Sequence, residues 1–156
     1  MYKKVMVPLD GSKLAECVLP QLETITKGCA EMPEIVLISA VEPISVPVGR
    51  EVSHFSSLDQ VKDYEAHQKS DAEKYLKDRV AYLSQRGIKA RAETVFGRAG
   101  EALTRYANSG SFDLIIIATH GRSGITRLVW GSVAEHILRT VNVPVLMVRA
   151  IKTPAA

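Results

Sequence analysis

The chain has 156 residues, the length of one ordinary domain, and a domain of this size buries enough surface to fold without disulfides. Its composition, 46% hydrophobic and 24% charged, is typical of globular proteins and argues against disorder. The net charge of +3 comes from basic residues scattered among acidic ones, and no apolar run approaches a membrane span. We therefore expect neither a nucleic-acid partner nor a membrane partner.

The first half of the chain alternates apolar runs with helical patterns. The sequence predicts a strand over 3–9, a turn at Asp10-Gly11-Ser12, and a helix over 13–27 that Ser12 caps and Gly28 ends. A second strand follows over 34–41. An irregular segment to about residue 58 is either a lid or a disordered loop, and a long helix is predicted over 59–86.

The second half continues the alternation. It predicts a strand over 89–96, a helix over 98–108, a strand over 113–119 that is apolar on both faces, a glycine loop over 120–130, a helix over 131–139 and a strand over 143–148. Strands alternating with helices indicate a parallel sheet with helices on both faces. We expect residues 1–150 to form one domain and residues 151–156 to be a frayed tail.

Both cysteines fall in the first predicted helical region. Cys17 and Cys29 are twelve residues apart, about 18 Å along an unbroken helix, which is too far for a disulfide. Free thiols fit a reducing compartment, and the N-terminus leads directly into a predicted strand. We therefore expect a cytoplasmic protein.

Two predicted strands end in residues typical of a ligand site. The first ends in Pro8-Leu9-Asp10-Gly11-Ser12, and the fourth ends in Ala118-Thr119-His120-Gly121 before the glycine loop. A strand that leads through a glycine loop into a helix N-terminus presents backbone N–H groups to an anion. If these strands are neighbours where the strand order reverses, their loops face each other across a cleft. The pattern predicts a phosphate binder in which Asp10 accepts hydrogen bonds from a ribose or helps to hold a metal.

These motifs resemble those of the universal stress protein family, and the resemblance covers nearly all of the chain. The turn Val7-Pro8-Leu9-Asp10-Gly11-Ser12 is similar to the first-strand signature of the family. The family's glycine motif, G-x-x-G, nine residues and G-S or G-T, corresponds to Ala118-Thr119-His120-Gly121, nine residues and Gly131-Ser132. The last strand, over 144–148, also matches. The fold implied is α/β, a three-layer sandwich with a five-stranded parallel sheet in the order 3-2-1-4-5 and four helices on its two faces.

The resemblance also implies a role for each site residue. Pro8, Leu9 and Asp10 would line the adenosine end, with Asp10 nearest the ribose. Ala40 would pack against adenine, and Ile117 with Ala118 would form the floor. The residues implied around the phosphates are Gly121, Gly131, Ser132 and Val133, with added charge from Arg122 and Arg127.

Several of these residues also have purely structural interpretations. Ala118 replaces the first glycine of the motif. If this position requires a positive φ, alanine would distort the loop. If the residue is extended, the methyl group is tolerated, and we favour this second interpretation. Ser132-Val133-Ala134-Glu135 reads equally well as a capping box. Asp10-Gly11-Ser12 alone is a common turn. We interpret His120 as shaping the loop and Trp130 as a core or interface anchor.

The leading hypothesis is a cytoplasmic stress-response regulator that binds ATP, with Mg²⁺ as a candidate companion ion. Since no strong charge clamp or base is recognisable, we expect no catalytic residue and at most slow ATP hydrolysis. The alternative is a universal stress protein that binds no nucleotide and acts through protein–protein contacts. Under either hypothesis we expect a homodimer through the last strand, by way of Val143, Val145 and Met147, and a regulatory partner that the sequence does not identify.

Overall fold

A computed structural model of the chain describes residues 2–44, 58–119 and 131–150. Its strands are β1 (Lys4–Pro8), β2 (Glu34–Val41), β3 (Ala90–Phe96), β4 (Leu114–Thr119) and β5 (Val145–Arg149). Its α-helices are α1 (Leu19–Lys27), α2 (Leu58–Ser84), α3 (Ala99–Ser109) and α4 (Ser132–Thr140). Apart from the start of α1, the bounds agree with the predicted elements within two residues, the usual uncertainty at element ends.

The five described strands form one parallel sheet in the order β3-β2-β1-β4-β5, which confirms the predicted order and fold class. Alternate residues of each strand feed two separate cores. Val5 and Leu37 pack with Leu76 of α2 on one face. Met6 and Ile38 pack with residues of α3 and α4 on the other face. The sheet is therefore covered on both sides, and the architecture has three layers.

The segment after β1 differs from the prediction of one continuous helix. Residues Ala15–Val18 form a 3₁₀ helix, and α1 starts only at Leu19. Pro20, in the first turn of α1, has no N–H to donate to the carbonyl four residues earlier, so an α-helix cannot pass through this point unbroken. Ser12 still acts as a cap, because its Oγ accepts a hydrogen bond from Ala15 N at 3.1 Å. Both cysteines are free, as expected.

The sheet opens between β1 and β4 toward their carboxyl ends. Their ladder is short, pairing Val5 with Leu114 and Met6 with Ile115, whereas β1 stays paired with β2 as far as Pro8. The backbone N–H and C=O groups of even-numbered residues in β1 point toward β4, because Asp113 N, just before β4, donates a hydrogen bond to Lys4 O. Pro8 has no N–H, so it cannot extend the ladder to β4. A crevice opens at this point.

Some predicted features lie outside the described residues. These are most of the irregular segment before α2, the glycine loop from His120 to Trp130, and the tail over 151–156. Within the part that the structure describes, no helix is both long enough and apolar enough to cross a membrane.

Candidate functional site

A cavity of about 290 Å³ lies at the crevice between β1 and β4. The structure brings nine of the sequence-predicted site residues together in its wall: Pro8, Leu9, Asp10, Ala40, Ile117, Ala118, Gly131, Ser132 and Val133. The other three, Gly121, Arg122 and Arg127, lie outside the described residues. The turn after β1, the end of β4 and the start of α4 therefore meet at one place.

The turn after β1 holds Asp10 at the cavity. Asp10 Oδ1 accepts a hydrogen bond from Ser12 N at 2.9 Å, which forms an Asx-type turn. Gly11, between them, has a φ of +83°, a conformation that side chains other than glycine rarely adopt. Because only Oδ1 is used in the turn, the second carboxylate oxygen of Asp10 remains available as an acceptor.

Ala118 has the extended backbone of a strand residue. It lies inside β4 and pairs with Val148 of β5. Among the described residues, Ser111 is the only one other than glycine with a positive φ. The residue that replaces the motif glycine therefore causes no backbone strain, and its methyl contributes only volume to the cavity wall.

The capping box predicted at the start of α4 is wrong. Gly131, in an extended conformation, is the N-cap, Ser132 is already the first helical residue, and no side chain of the described residues caps this end. The Glu135 carboxylate does not reach back to the N-cap but pairs with Arg139 Nη2 at 2.8 Å, one turn further along α4. The first N–H groups of α4 are therefore available at the cavity, since Gly131, Ser132 and Val133 all line it.

Sequence reasoning missed several residues of the wall. They are Leu14, Ala15, Ser39, Ala99, Leu103 and Ala134. Ala99 begins α3, and its N–H donates to Glu42 Oε1 at 2.8 Å, so the end of β2 fixes the start of this helix. Ser39 is the one member with a signal in the sequence, because it is a polar residue inside an otherwise apolar strand.

The wall combines apolar side chains with polar groups. Apolar side chains such as Leu9, Leu103 and Ile117 form one part, and the first turn of α4 forms another. Among the described wall residues, Asp10 is the only charged one, and no lysine or arginine is present. The cavity suits a ligand with a flat apolar part, hydroxyl groups near Asp10 and an anionic group at α4.

Comparisons with known proteins agree with this architecture. The model of the universal stress protein family matches residues 1–149. Universal stress protein MJ0577 of Methanocaldococcus jannaschii is 26% identical over 160 residues, which cover 96% of each chain. The solved structure of MJ0577 superposes with a TM-score of 0.73, at 24% identity, over 98% of this chain and 99% of that one.

Two further solved structures contain adenine nucleotides. A universal stress protein in complex with cAMP has a TM-score of 0.67 at 20% identity, over 96% of this chain and 99% of that one. A universal stress protein family member from Arabidopsis thaliana with AMP bound has a TM-score of 0.66 at 17% identity, over 96% and 93% of the two chains. At these identities the likeness concerns the fold. The family match over residues 1–149 goes further, and the chain belongs to the universal stress protein family.

Proposed function

We propose that this protein binds an adenine nucleotide, with ATP as the leading candidate, in the cavity between β1 and β4, and that it acts as a cytoplasmic regulator of the stress response. The observation that carries the proposal is the uncapped first turn of α4 in the cavity wall. The unpaired N–H groups of a helix N-terminus favour an anion, and the helix dipole adds to the attraction.

The rest of the wall supports an adenosine moiety. Pro8, Leu9 and Asp10 would contact the nucleoside, with the free oxygen of Asp10 accepting a ribose hydroxyl. Ala40 would pack against adenine, and Ile117 with Ala118 would form the floor. A volume of about 290 Å³ is near the lower end of the range for small-molecule sites, so it suits the nucleoside part of the ligand.

The phosphates would extend from this cavity along α4. Gly131, Ser132 and Val133 supply N–H groups there, and we propose that Gly121, Arg122 and Arg127 complete the phosphate site. The adenine nucleotides in two proteins of the same fold support this class of ligand.

A Mg²⁺ ion is proposed only as a companion of ATP. The described residues contain no group of three or more histidine, cysteine, aspartate or glutamate side chains that could hold a metal. Asp10 would be the one carboxylate near the ion, and the remaining ligands would be phosphate oxygens and water. We expect slow hydrolysis at most, because efficient hydrolysis requires a positioned water or base beside the terminal phosphate.

A titration of the purified protein with labelled ATP tests this proposal. We expect saturable binding that Asp10→Asn and Gly131→Val weaken. Asn keeps the acceptor that the turn needs, so Asp10→Asn removes the charge without removing the Asx-type hydrogen bond. Asp78→Asn, at an exposed position on α2, is the matched control. The absence of binding at millimolar ATP would contradict the proposal.

The second candidate is a dimer that needs no nucleotide. The edge strand β5 favours it, because Leu146 is 36% exposed and the outer edge of this strand has no strand partner within the described sheet. Val143, Val145 and Met147 lie in the proposed interface, but their side chains pack partly against the α3–α4 core. A Val145→Lys and Met147→Lys double variant would therefore also weaken the fold.

Leu146→Lys tests the interface with less damage to the core. We expect sedimentation to show a dimer for the wild type and a monomer for Leu146→Lys, with unchanged circular dichroism. Leu138→Lys, on the exposed face of α4, is a control for an added charge at an exposed leucine. A dimer that survives Leu146→Lys would contradict the proposed interface.

A further inference from the structure

A carboxylate joins the end of β2 to the start of α3. Glu42, the residue after β2, accepts a hydrogen bond at Oε1 from Ala99 N at 2.8 Å. Ala99 is the first residue of α3 and lines the proposed nucleotide cavity, as does Ala40, two residues before Glu42. Glu42 itself is exposed. Its carboxylate therefore lies at the rim of this cavity, between two residues of the wall.

Glu42 lies on the α3 side of the sheet. Ala40 packs with the core on that side, and side chains two residues apart along an extended chain share a face. Below the rim, Ala99 and Leu103 are one helical turn apart on α3, and both line the cavity. A flat apolar group that packs between Ala40 and Leu103 would therefore have the Glu42 carboxylate at its edge.

The order of the strands determines which edge of a bound base would face Glu42. β2, β1 and β4 are neighbours in that order, with about 4.8 Å between adjacent strands. With the ribose at Asp10, after β1, and the phosphates on the β4 side at α4, the base extends toward β2. The edge of a purine that carries position 6 is turned away from the ribose. This edge would therefore face Glu42.

The bond to Ala99 leaves Glu42 able to accept a hydrogen bond from a ligand. The two oxygens of an ionised carboxylate offer about four acceptor positions and no donor. Arg98, the cationic residue next to Ala99, pairs with Glu101 at 3.6 Å. Glu42 therefore presents acceptors at the rim. An amino group at position 6 of the base would donate to them, whereas a carbonyl oxygen at that position would meet a second acceptor.

We propose that Glu42 is a specificity-determining residue that selects a 6-amino purine over a 6-oxo purine. This inference rests on the proposed nucleotide site and adds the means by which that site recognises the base. The amino group donates to Glu42 Oε2, while Ala99 N holds Oε1 in place. Because Glu42 is exposed, water competes for this bond, and we expect a preference of roughly five- to twentyfold.

Isothermal titration calorimetry with ATP and ITP tests the selection. ITP has the same ribose and phosphates as ATP but carries an oxygen in place of the 6-amino group. We expect the wild type to bind ATP roughly five- to twentyfold more tightly than ITP. Equal binding of the two would overturn the role of Glu42 and leave the nucleotide site standing. Binding of neither at millimolar concentration would overturn the proposed function, and this inference with it.

Glu42→Gln should abolish or reverse the preference. The amide oxygen of Gln must accept the Ala99 N–H, so its NH₂ group, a donor, takes the place of Oε2. We expect ATP to bind roughly three- to tenfold more weakly and ITP at least as tightly as in the wild type.

Glu65→Gln is the matched control. Glu65 Oε1 also accepts a backbone hydrogen bond, from Ile44 N at 3.2 Å, but Glu65 lies on α2, outside the cavity wall. This variant should keep the wild-type ratio of ATP to ITP affinity, and circular dichroism verifies that both variants are folded. An unchanged ratio in Glu42→Gln, or the same change in Glu65→Gln, would refute the assignment.

Discussion

Replacing Ser132 with proline tests the role of the α4 N-terminus without removing the helix. Ser132 is the first helical residue, a position where proline is well tolerated because the N–H is not needed for the helix. Gly131, the residue before it, has φ −53° and ψ 144°, which is the extended geometry that proline requires of its predecessor. Ser132→Pro therefore removes one backbone donor from the cavity and leaves α4 in place.

The expected loss of affinity follows from the bond removed. A hydrogen bond to a charged acceptor contributes about 1.5–3 kcal/mol, and about 1.4 kcal/mol corresponds to a tenfold change in affinity. We expect Ser132→Pro to weaken ATP binding by roughly 10- to 100-fold. Ser132→Ala keeps the N–H and removes a hydroxyl that caps nothing in the structure, so we expect ATP affinity within about threefold of the wild type.

Isothermal titration calorimetry with ATP measures both variants, and circular dichroism with urea unfolding verifies that they are folded. The reasoning fails if folded Ser132→Pro binds ATP as tightly as the wild type. It also fails if Ser132→Ala loses as much affinity as Ser132→Pro, because the hydroxyl and not the N–H would then hold the ligand.

Three further predictions concern other parts of the structure. Ala118→Gly should change ATP affinity by less than about threefold, since Ala118 is extended; a gain of tenfold in calorimetry would show that the methyl crowds the ligand. Gly110→Ala should destabilise the fold by about 1–3 kcal/mol in urea unfolding, because the new Cβ would lie 2.3 Å from the Phe112 ring and 2.9 Å from a backbone oxygen. Gly28→Ala is the control and should be neutral, because the atom nearest to its new Cβ would be 3.5 Å away. Equal effects of the two substitutions would refute the packing argument. Hydrogen bonds from Lys3 N and Lys4 N lower the pKa of the Asp113 carboxyl below its ordinary value of 3.8. The contribution of this carboxylate to stability is therefore present above pH 3.8 and is lost as the pH falls further. Asp113→Asn should reduce the fall in the urea midpoint between pH 5 and pH 3, and an unchanged pH profile would contradict this.

The fold could be predicted because the apolar pattern of most segments has the period of the strand or helix that they form. The strand over 34–41 is apolar after its first residue except for Ser39, and the structure gives β2 the same bounds, Glu34–Val41. The segment before Gly28 was less well predicted. There, an amphipathic pattern and a good cap suggested one helix, but the missing N–H of Pro20 is a local constraint that the pattern does not override.

The predicted site depended on a different kind of information. Asp10 and Gly131 were predicted to share a site because each lies in the connection from a strand to the next helix, and such connections meet at one edge of a parallel sheet; both line the cavity. The capping box failed because S-x-x-E does not determine which residue is the cap: Gly131 takes that position, and Arg139 pairs with Glu135. Leu103 was missed because its place in the wall depends on how α3 packs on β2, which no local pattern specifies.

The start of α4, which sequence reasoning misjudged, has a physical meaning. A helix selected for stability alone would have a side-chain cap at its first turn, and no described side chain caps α4. Departures of this kind concentrate at functional sites, where a ligand completes the hydrogen bonds. Gly131, Ser132 and Val133 line the cavity, so the N–H groups at this end of α4 favour a ligand with negative charge there.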